Sequence, residues 1–294
     1  MNKLKSAAML LLGVLVLTSL SSCKKEEKEG VYTPKMKIQR VYNASTYTEK
    51  YLSQSWNWDG KLLKSIDHYW SGGSLSWTEN FTYESKRLVR VDDYINSEYV
   101  TYSYDGNQLK SADYYYKGSL ETSTAYTYVD GKLSKMVISD FSSKKSKKDS
   151  HLQNAVLPFQ SEVAEIVSKF MAEAAAGRTE KDIDIYTLQF NWEGDNVSKL
   201  TVTLEGYLAT AALQYDSKNN PLKGFHNLYS DTDELEGMLN WSKNNVTKMI
   251  VTESDGENEV IDYTYQYNDN DYPTMAIQRY ADEDYQATRY FEYE

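Results

Sequence analysis

The chain has 294 residues and carries 43 acidic against 32 basic side chains, a formal net charge of −11. That balance argues against nucleic acid, whose binding needs a clustered basic surface. With one cysteine, no intramolecular disulfide is possible, and with 27 tyrosines and six tryptophans the composition is weighted toward strand-forming aromatics.

Residues 1–22 read as an export signal outside the fold. Lys3 and Lys5 open it, Ala7 to Leu17 form its apolar run, and Leu20-Ser21-Ser22-Cys23 follows. The apolar run is too short for a transmembrane helix. Leu20-Ser21-Ser22-Cys23 resembles a bacterial lipobox, which implies that Cys23 becomes the lipidated first residue of the mature chain, a stable membrane anchor. Removing Lys3 and Lys5 takes the net charge from −11 to −13. Residues 23–34 read as a charged tether. Its Lys24-Lys25-Glu26-Glu27-Lys28-Glu29-Gly30 resembles the signal that sends Bacteroidetes lipoproteins to the outer face of the outer membrane. A plain solvated spacer is the alternative, with the protein facing the periplasm.

From residue 35 to 294 a single repeat-built domain is expected. A short phrase, apolar-x-aromatic, recurs nine times, mostly at roughly 21 to 26 residues, the mark of a repeat architecture. It begins at Trp56-Asn57-Trp58, Phe81-Thr82-Tyr83, Tyr102-Ser103-Tyr104 and Tyr126-Thr127-Tyr128. It resumes at Phe190-Asn191-Trp192, Leu213-Gln214-Tyr215 and Leu239-Asn240-Trp241, and ends at Tyr265-Gln266-Tyr267 and Phe291-Glu292-Tyr293. Turn formers follow, such as Asp59-Gly60, Asp105-Gly106-Asn107 and Asp130-Gly131, because tight hairpins demand positive φ. An apolar residue then falls at plus five (Leu63, Leu88, Leu109, Leu133, Val197, Val246, Tyr272) and another at plus eight (Ile66, Val91, Ala112, Met136, Leu200, Met249, Met275). In the Tyr215 copy they fall at Leu222 and Phe225. Two residues three apart cannot share a face of a regular strand, so the spacing predicts a bulge, or a plus-five residue still within the turn. Each phrase contributes about two strands. The fold class is therefore mainly β: an antiparallel meander of about 16–18 strands in a curved or closed barrel-like sheet.

One insertion, 141–182, interrupts the repeat. It opens with the Lys-rich run Lys144-Lys145-Ser146-Lys147-Lys148, read as a solvated loop. Val163, Ile166, Val167, Phe170, Met171 and Ala174 recur at helical spacing, with Ser161 as N-cap and Gly177 as C-cap. An amphipathic helix over about 160–176 is expected to lie on the sheet or plug a closed one.

Tyr102-Ser103-Tyr104-Asp105-Gly106-Asn107-Gln108-Leu109 resembles the YD repeats of Rhs-type proteins, with Gly131-Lys132-Leu133 in place of their Gly-Arg-Leu. The wider pattern of lipobox, tether, aromatic hairpins and inserted helix resembles a Bacteroidetes lipoprotein family of unknown function with a porin-like fold. That resemblance implies a many-stranded curved or closed sheet and no activity. A bilayer-spanning barrel is not expected, since the outward positions carry Ser, Thr, Asn, Gln, Lys and Glu rather than a lipid-facing apolar band.

Catalytic and metal signals are sparse. His68, His151 and His226 have no ligand spacing, and no nucleophile elbow occurs. Asp231-Thr232-Asp233-Glu234, Asp255-Gly256-Glu257, Asn268-Asp269-Asn270-Asp271 and Asp282-Glu283-Asp284 are oxygen-rich but lack the EF-hand order and fall where turns are expected. No enzyme, cofactor or metal is expected. The binding candidates are Trp70, Trp77, Tyr114, Tyr115 and Tyr116, because consecutive aromatics on a strand put rings on both faces. The expected function is an outer-membrane-anchored binding protein for a glycan or an outer-membrane protein partner. The alternative is a structural lipoprotein without a small ligand.

Overall fold

The computed structural model describes residues 36–93, 97–141, 184–204, 207–224, 241–252, 256–281 and 284–294. The first eight strands are β1 (Ile38–Ser45), β2 (Tyr51–Asp59), β3 (Leu62–Tyr69), β4 (Leu75–Glu84), β5 (Arg87–Asp93), β6 (Glu98–Asp105), β7 (Gln108–Tyr116) and β8 (Ser119–Val129). The second eight are β9 (Lys132–Asp140), β10 (Asp184–Glu193), β11 (Asn196–Leu204), β12 (Tyr207–Tyr215), β13 (Val246–Thr252), β14 (Asn258–Tyr267), β15 (Pro273–Tyr280) and β16 (Gln286–Tyr293). Each strand pairs antiparallel with its neighbours in sequence, and β1 pairs with β16 to close a barrel. The expected helix at 160–176, the tether, Cys23, His151 and His226 lie outside the described residues.

The aromatic phrases all end at one mouth of the barrel, here termed the hairpin end. Its turns use the expected chemistry: Asp130 and Gly131 both take positive φ, 52° and 78°, as a tight hairpin requires. The bulge foreseen from the plus-five, plus-eight spacing is there in every hairpin-end pairing. Asn57 faces Ser65 while Trp58 faces Leu63, so Lys64 is the extra residue that lets Leu63 and Ile66 both turn inward. The same shift occurs before Tyr83, Tyr104, Tyr128, Trp192, Tyr215 and Tyr267.

Two copies depart from the expected spacing. Tyr215 does not pair near Leu222; its strand runs instead beside β13, with Tyr215 opposite Val246, so two phrases merge into one unit. This is why there are sixteen strands rather than eighteen. After Tyr267 the turn is one residue longer, so Pro273 and Ala276 point inward where Tyr272 and Met275 were expected. Tyr272 is still buried, against the Tyr293 ring.

Closure has the same grammar. Tyr293 faces Ile38 and Glu292 faces Arg40, leaving Gln39 as the extra residue. Ile38 and Val41, both buried, thus supply the plus-five and plus-eight positions for the last phrase. Chain start and chain end together make the eighth unit.

Between consecutive units the strands diverge at the hairpin end, and the second or first ring of a phrase bridges the gap. Trp58 and Trp192 donate their indole N–H to the carbonyls of Ile38 and Leu133, each at 2.7 Å. Tyr104, Tyr215, Tyr265 and Tyr293 donate their hydroxyls to Leu88, Val197, Val246 and Pro273 at 2.6–2.7 Å. These rings stay half-buried over a continuous apolar core, the polar tip satisfied and the ring face packed.

Candidate functional site

The two mouths differ. At the hairpin end, residues 216–224 and 241–245 of the β12–β13 connection fold across the opening. Trp241, just before β13, lies against Tyr126 and Tyr128 of β8, with ring centroids 6.4 and 6.3 Å away. Asp216 is the knot. Its carboxylate accepts from Lys218 N (2.9 Å), Asn245 N (3.1 Å), Asn245 Nδ2 (3.0 Å) and the Tyr267 hydroxyl. Backbone bonds from Lys243 to Asp195 and from Asn219 to Asp271 extend the network over neighbouring turns. Asn268 accepts from Asn270 N and Tyr272 N, so the oxygen-rich run 268–271 forms a turn rather than an ion cage.

Seven tyrosines of this hairpin half have clearly displaced pKa values. Burial raises Tyr83, Tyr102, Tyr126, Tyr215, Tyr267 and Tyr293, and pushes Tyr104 up to about 12. Tyr104, Tyr215, Tyr267 and Tyr293 donate hydrogen bonds, and all seven phenols stay neutral at physiological pH.

The opposite mouth, the insertion end, is where the 142–183 connection leaves and returns. The five candidate aromatics all map here, though to different faces. Trp77 and Tyr114 point inward and are buried, 1% and 2% exposed. Trp77 stacks on His68 at 3.8 Å with 6° between the planes. Tyr116 is half-buried at the inner rim beneath the Lys117 ammonium, 4.8 Å from its ring. Tyr115 faces outward and stacks on Tyr99 at 4.7 Å, with the Arg90 guanidinium 3.8 Å from the Tyr99 ring. Trp70 is 59% exposed in the β3–β4 turn, which is fixed by Trp70 N to Ser74 O and Gly73 N to Trp70 O. The consecutive tyrosines do place rings on both faces, but the inner rings belong to the core, leaving Trp70 and Tyr115 as surface rings.

Two features of this end were not foreseen. The first is a row of buried carboxylates on the inner wall: Glu79 is opposite Asp93, and Asp93 opposite Glu98. Asp140 continues the acidic lining opposite Thr122, and His68 Nε2 lies 3.9 Å from Glu79. Each acid sits two residues from an inward apolar position (Trp77-x-Glu79, Asp93-x-Val91, Glu98-x-Val100, Ile138-x-Asp140), so extending the two-residue period would have placed them inside. Among the described residues no group of three or more His, Cys, Asp or Glu is arranged to hold a metal ion.

The second is an apolar rim. Of the eight exposed large hydrophobics among the described residues, seven lie at the insertion end: Tyr47, Trp70, Leu75, Leu120, Phe141, Ile185 and Leu208. Only Val129 lies at the other mouth. Between the mouths the outer wall mixes polar cross-strand pairs such as Asn57–Ser65, Thr101–Asp113 and Thr201–Thr210 with partly exposed apolar residues such as Val137, Ile250 and Ile277. The most exposed apolar residues therefore gather as a collar at one mouth.

No family model matches the chain. No curated protein matches it either. Among solved structures it resembles a porin-like protein from Bacteroides uniformis ATCC 8492, at 11% identity and a TM-score of 0.53, covering 91% of this chain and 100% of that one. It also resembles a porin-like protein from Bacteroides vulgatus ATCC 8482, at 9% identity and a TM-score of 0.51, covering 87% of this chain and 98% of that one. At these identities the likeness is one of fold: a closed, mainly β barrel of porin-like architecture.

Proposed function

We propose that this is a lipid-anchored protein of the bacterial outer envelope whose barrel presents its insertion-end collar to a protein partner. The observation that carries the reading is the confinement of exposed apolar side chains to one mouth, since exposed apolar surface gathered in one place marks an interaction site. Leu75, Leu120, Ile185 and Leu208 are aliphatic, which suits a protein face better than a sugar; Trp70 on its rigid turn is the natural anchor. The porin-like neighbours from Bacteroides support the envelope setting. The barrel is entered at Ile38 and left at Glu294, both at the hairpin end, where Glu294 N bonds Lys37 O. A lipid on Cys23 therefore tethers the barrel by that end.

The test places a photo-crosslinking residue at Leu120 or Leu208 on the collar, and at Thr201 on the polar wall, in the full-length chain in its native envelope. The proposal expects a discrete protein adduct from the collar, absent from the wall and lost with Trp70→Ala. Equal labelling at all three positions overturns it, and a Trp70-dependent signal on a glycan array with no protein adduct transfers the site to a sugar. Cys23→Ser should release the protein from the membrane fraction; unchanged membrane retention removes the anchor from the reading. The purely structural role draws its support from the buried inner rings, and it predicts no adduct from any collar position.

A further inference from the structure

Because the barrel is built from repeated units, each unit can be compared with its siblings. The first residue of a phrase faces the plus-eight residue across the strand pair: Trp56 faces Ile66, Phe81 faces Val91, Phe190 faces Leu200 and Leu213 faces Met249. All eight of these side chains are buried in the inner wall. The β6–β7 unit departs from that pattern twice. Its plus-eight residue shrinks to Ala112, and opposite it the phrase opens with Tyr102, whose hydroxyl the sibling positions Phe81, Phe190, Leu213 and Phe291 do without. Ala276 is the other alanine at a plus-eight position, and there the long Arg289 side chain stands directly opposite on the next strand. On the next strand from Ala112 stands only Thr124.

The lost volume coincides with hydroxyls that the chain leaves unanswered. Tyr102, Thr124 and, two residues along the same face, Thr122 line the inner wall around Ala112 at 6%, 0% and 2% exposure. Among the described residues, none of these three hydroxyls meets a hydrogen-bond partner. Burial holds the Tyr102 phenol neutral, so all three can both donate and accept. Buried polar groups in folded proteins nearly always have a partner, whether protein or bound molecule. A water-sized guest needs a polar site with about two to four hydrogen-bonding groups and room for one probe sphere. The three hydroxyls supply the groups, and the alanine supplies the room.

We propose that the inner wall around Ala112 is a buried binding site for hydroxyl oxygen, in which Tyr102, Thr122 and Thr124 share one neutral guest, either internal water or the hydroxyls of a small polyol. The site faces the lumen and stands apart from the collar, so it goes beyond the docking reading and does not depend on it.

The test is chemical denaturation of the full-length chain with Tyr102→Phe, with Thr124→Val and with both. Phenylalanine is what the repeat itself carries at Phe81, Phe190 and Phe291, and valine matches threonine closely in shape, so each change removes little besides a hydroxyl. Each single change should lower the folding equilibrium constant roughly tenfold. The double change should cost clearly less than the two factors multiplied, because both hydroxyls hold the same guest. An equilibrium constant unchanged or raised in either single variant overturns the proposal, since deleting a hydroxyl that holds nothing relieves the cost of burying it. Losses that multiply independently also overturn it, because no guest is then shared. Given coupled losses, mass spectrometry of the denatured parent names the source. A polyol released in stoichiometric amount assigns the site to that molecule, and coupled losses with no such release assign it to water.

Discussion

The two mouths of one repeat barrel differ sharply in chemistry. At the hairpin end, eight near-identical units converge, indole and phenol donors reach the neighbouring unit, and Asp216 gathers four donors. At the insertion end the units differ, carboxylates face one another across strands, and large apolar side chains stand in solvent. Uniformity follows from the bulge and turn, which demand the same residue types in each copy. The opposite ends of the same strands are released from that constraint, so their composition is available for recognition. Polar groups buried opposite one another are costly to hold in an apolar wall, which is a reason to look for function there.

This contrast can be broken or sharpened by mutation. The largest effect is expected from Trp77→Ala, which removes a buried ring stacked on His68 and should cost about 3–5 kcal/mol in chemical denaturation; a small cost would mean that the insertion end contributes little to the core. Asp216→Ala at the hairpin end should cost about 3 kcal/mol, because it strands the Tyr267 hydroxyl and the Asn245 donors. Tyr215→Phe keeps the ring and loses its bond to Val197 O, so about 1 kcal/mol is expected, and no change would show that the ring bridges are incidental.

Alkaline titration addresses the hairpin end as a whole. Its tyrosines have folded-state pKa values raised by burial, so the folded barrel holds their protons more tightly than the unfolded chain does. Their contribution to stability is therefore intact below about pH 10, the ordinary tyrosine value, and is lost as pH rises through the folded values. Phenolate absorbance should show Tyr102 and Tyr126 ionising only together with loss of tertiary circular dichroism. Early, reversible ionisation of the full tyrosine complement would contradict a closed hairpin end. The smallest expected effect is Trp70→Ala, within about 0.5 kcal/mol of the parent, since the ring is mostly in solvent. The same change should abolish the collar adduct, separating stability at one mouth from binding at the other.

Much of this was legible in the chain because it is local. The alternation Thr101-Tyr102-Ser103-Tyr104 sets which face is inward, Asp-Gly and Asn-rich runs set the turns, and the plus-five, plus-eight offset specifies a bulge that the pairing of Ser103 with Ser111 and Tyr104 with Leu109 then displays. The candidate aromatics share strand ends, which brings all five to one mouth. Which of their faces was exposed was not legible, since Trp77 and Trp70 look alike until the β3–β4 turn and the wall curvature assign one to the lumen and the other to solvent.

What the sequence by itself determined is the unit: its hairpin, its bulge and its inward residues, all governed by contacts a few residues apart. Tertiary structure alone decided the rest. Ile38 completing the phrase of Tyr293, Tyr215 taking Val246 across a long connection, and Glu79, Asp93 and Glu98 meeting in register all depend on strand order and stagger around a closed wall. Closure fixes those pairings through the tilt and shear of all sixteen strands together, a global condition that no single segment encodes. The gathering of scattered apolar residues into one collar is a consequence of the same closure.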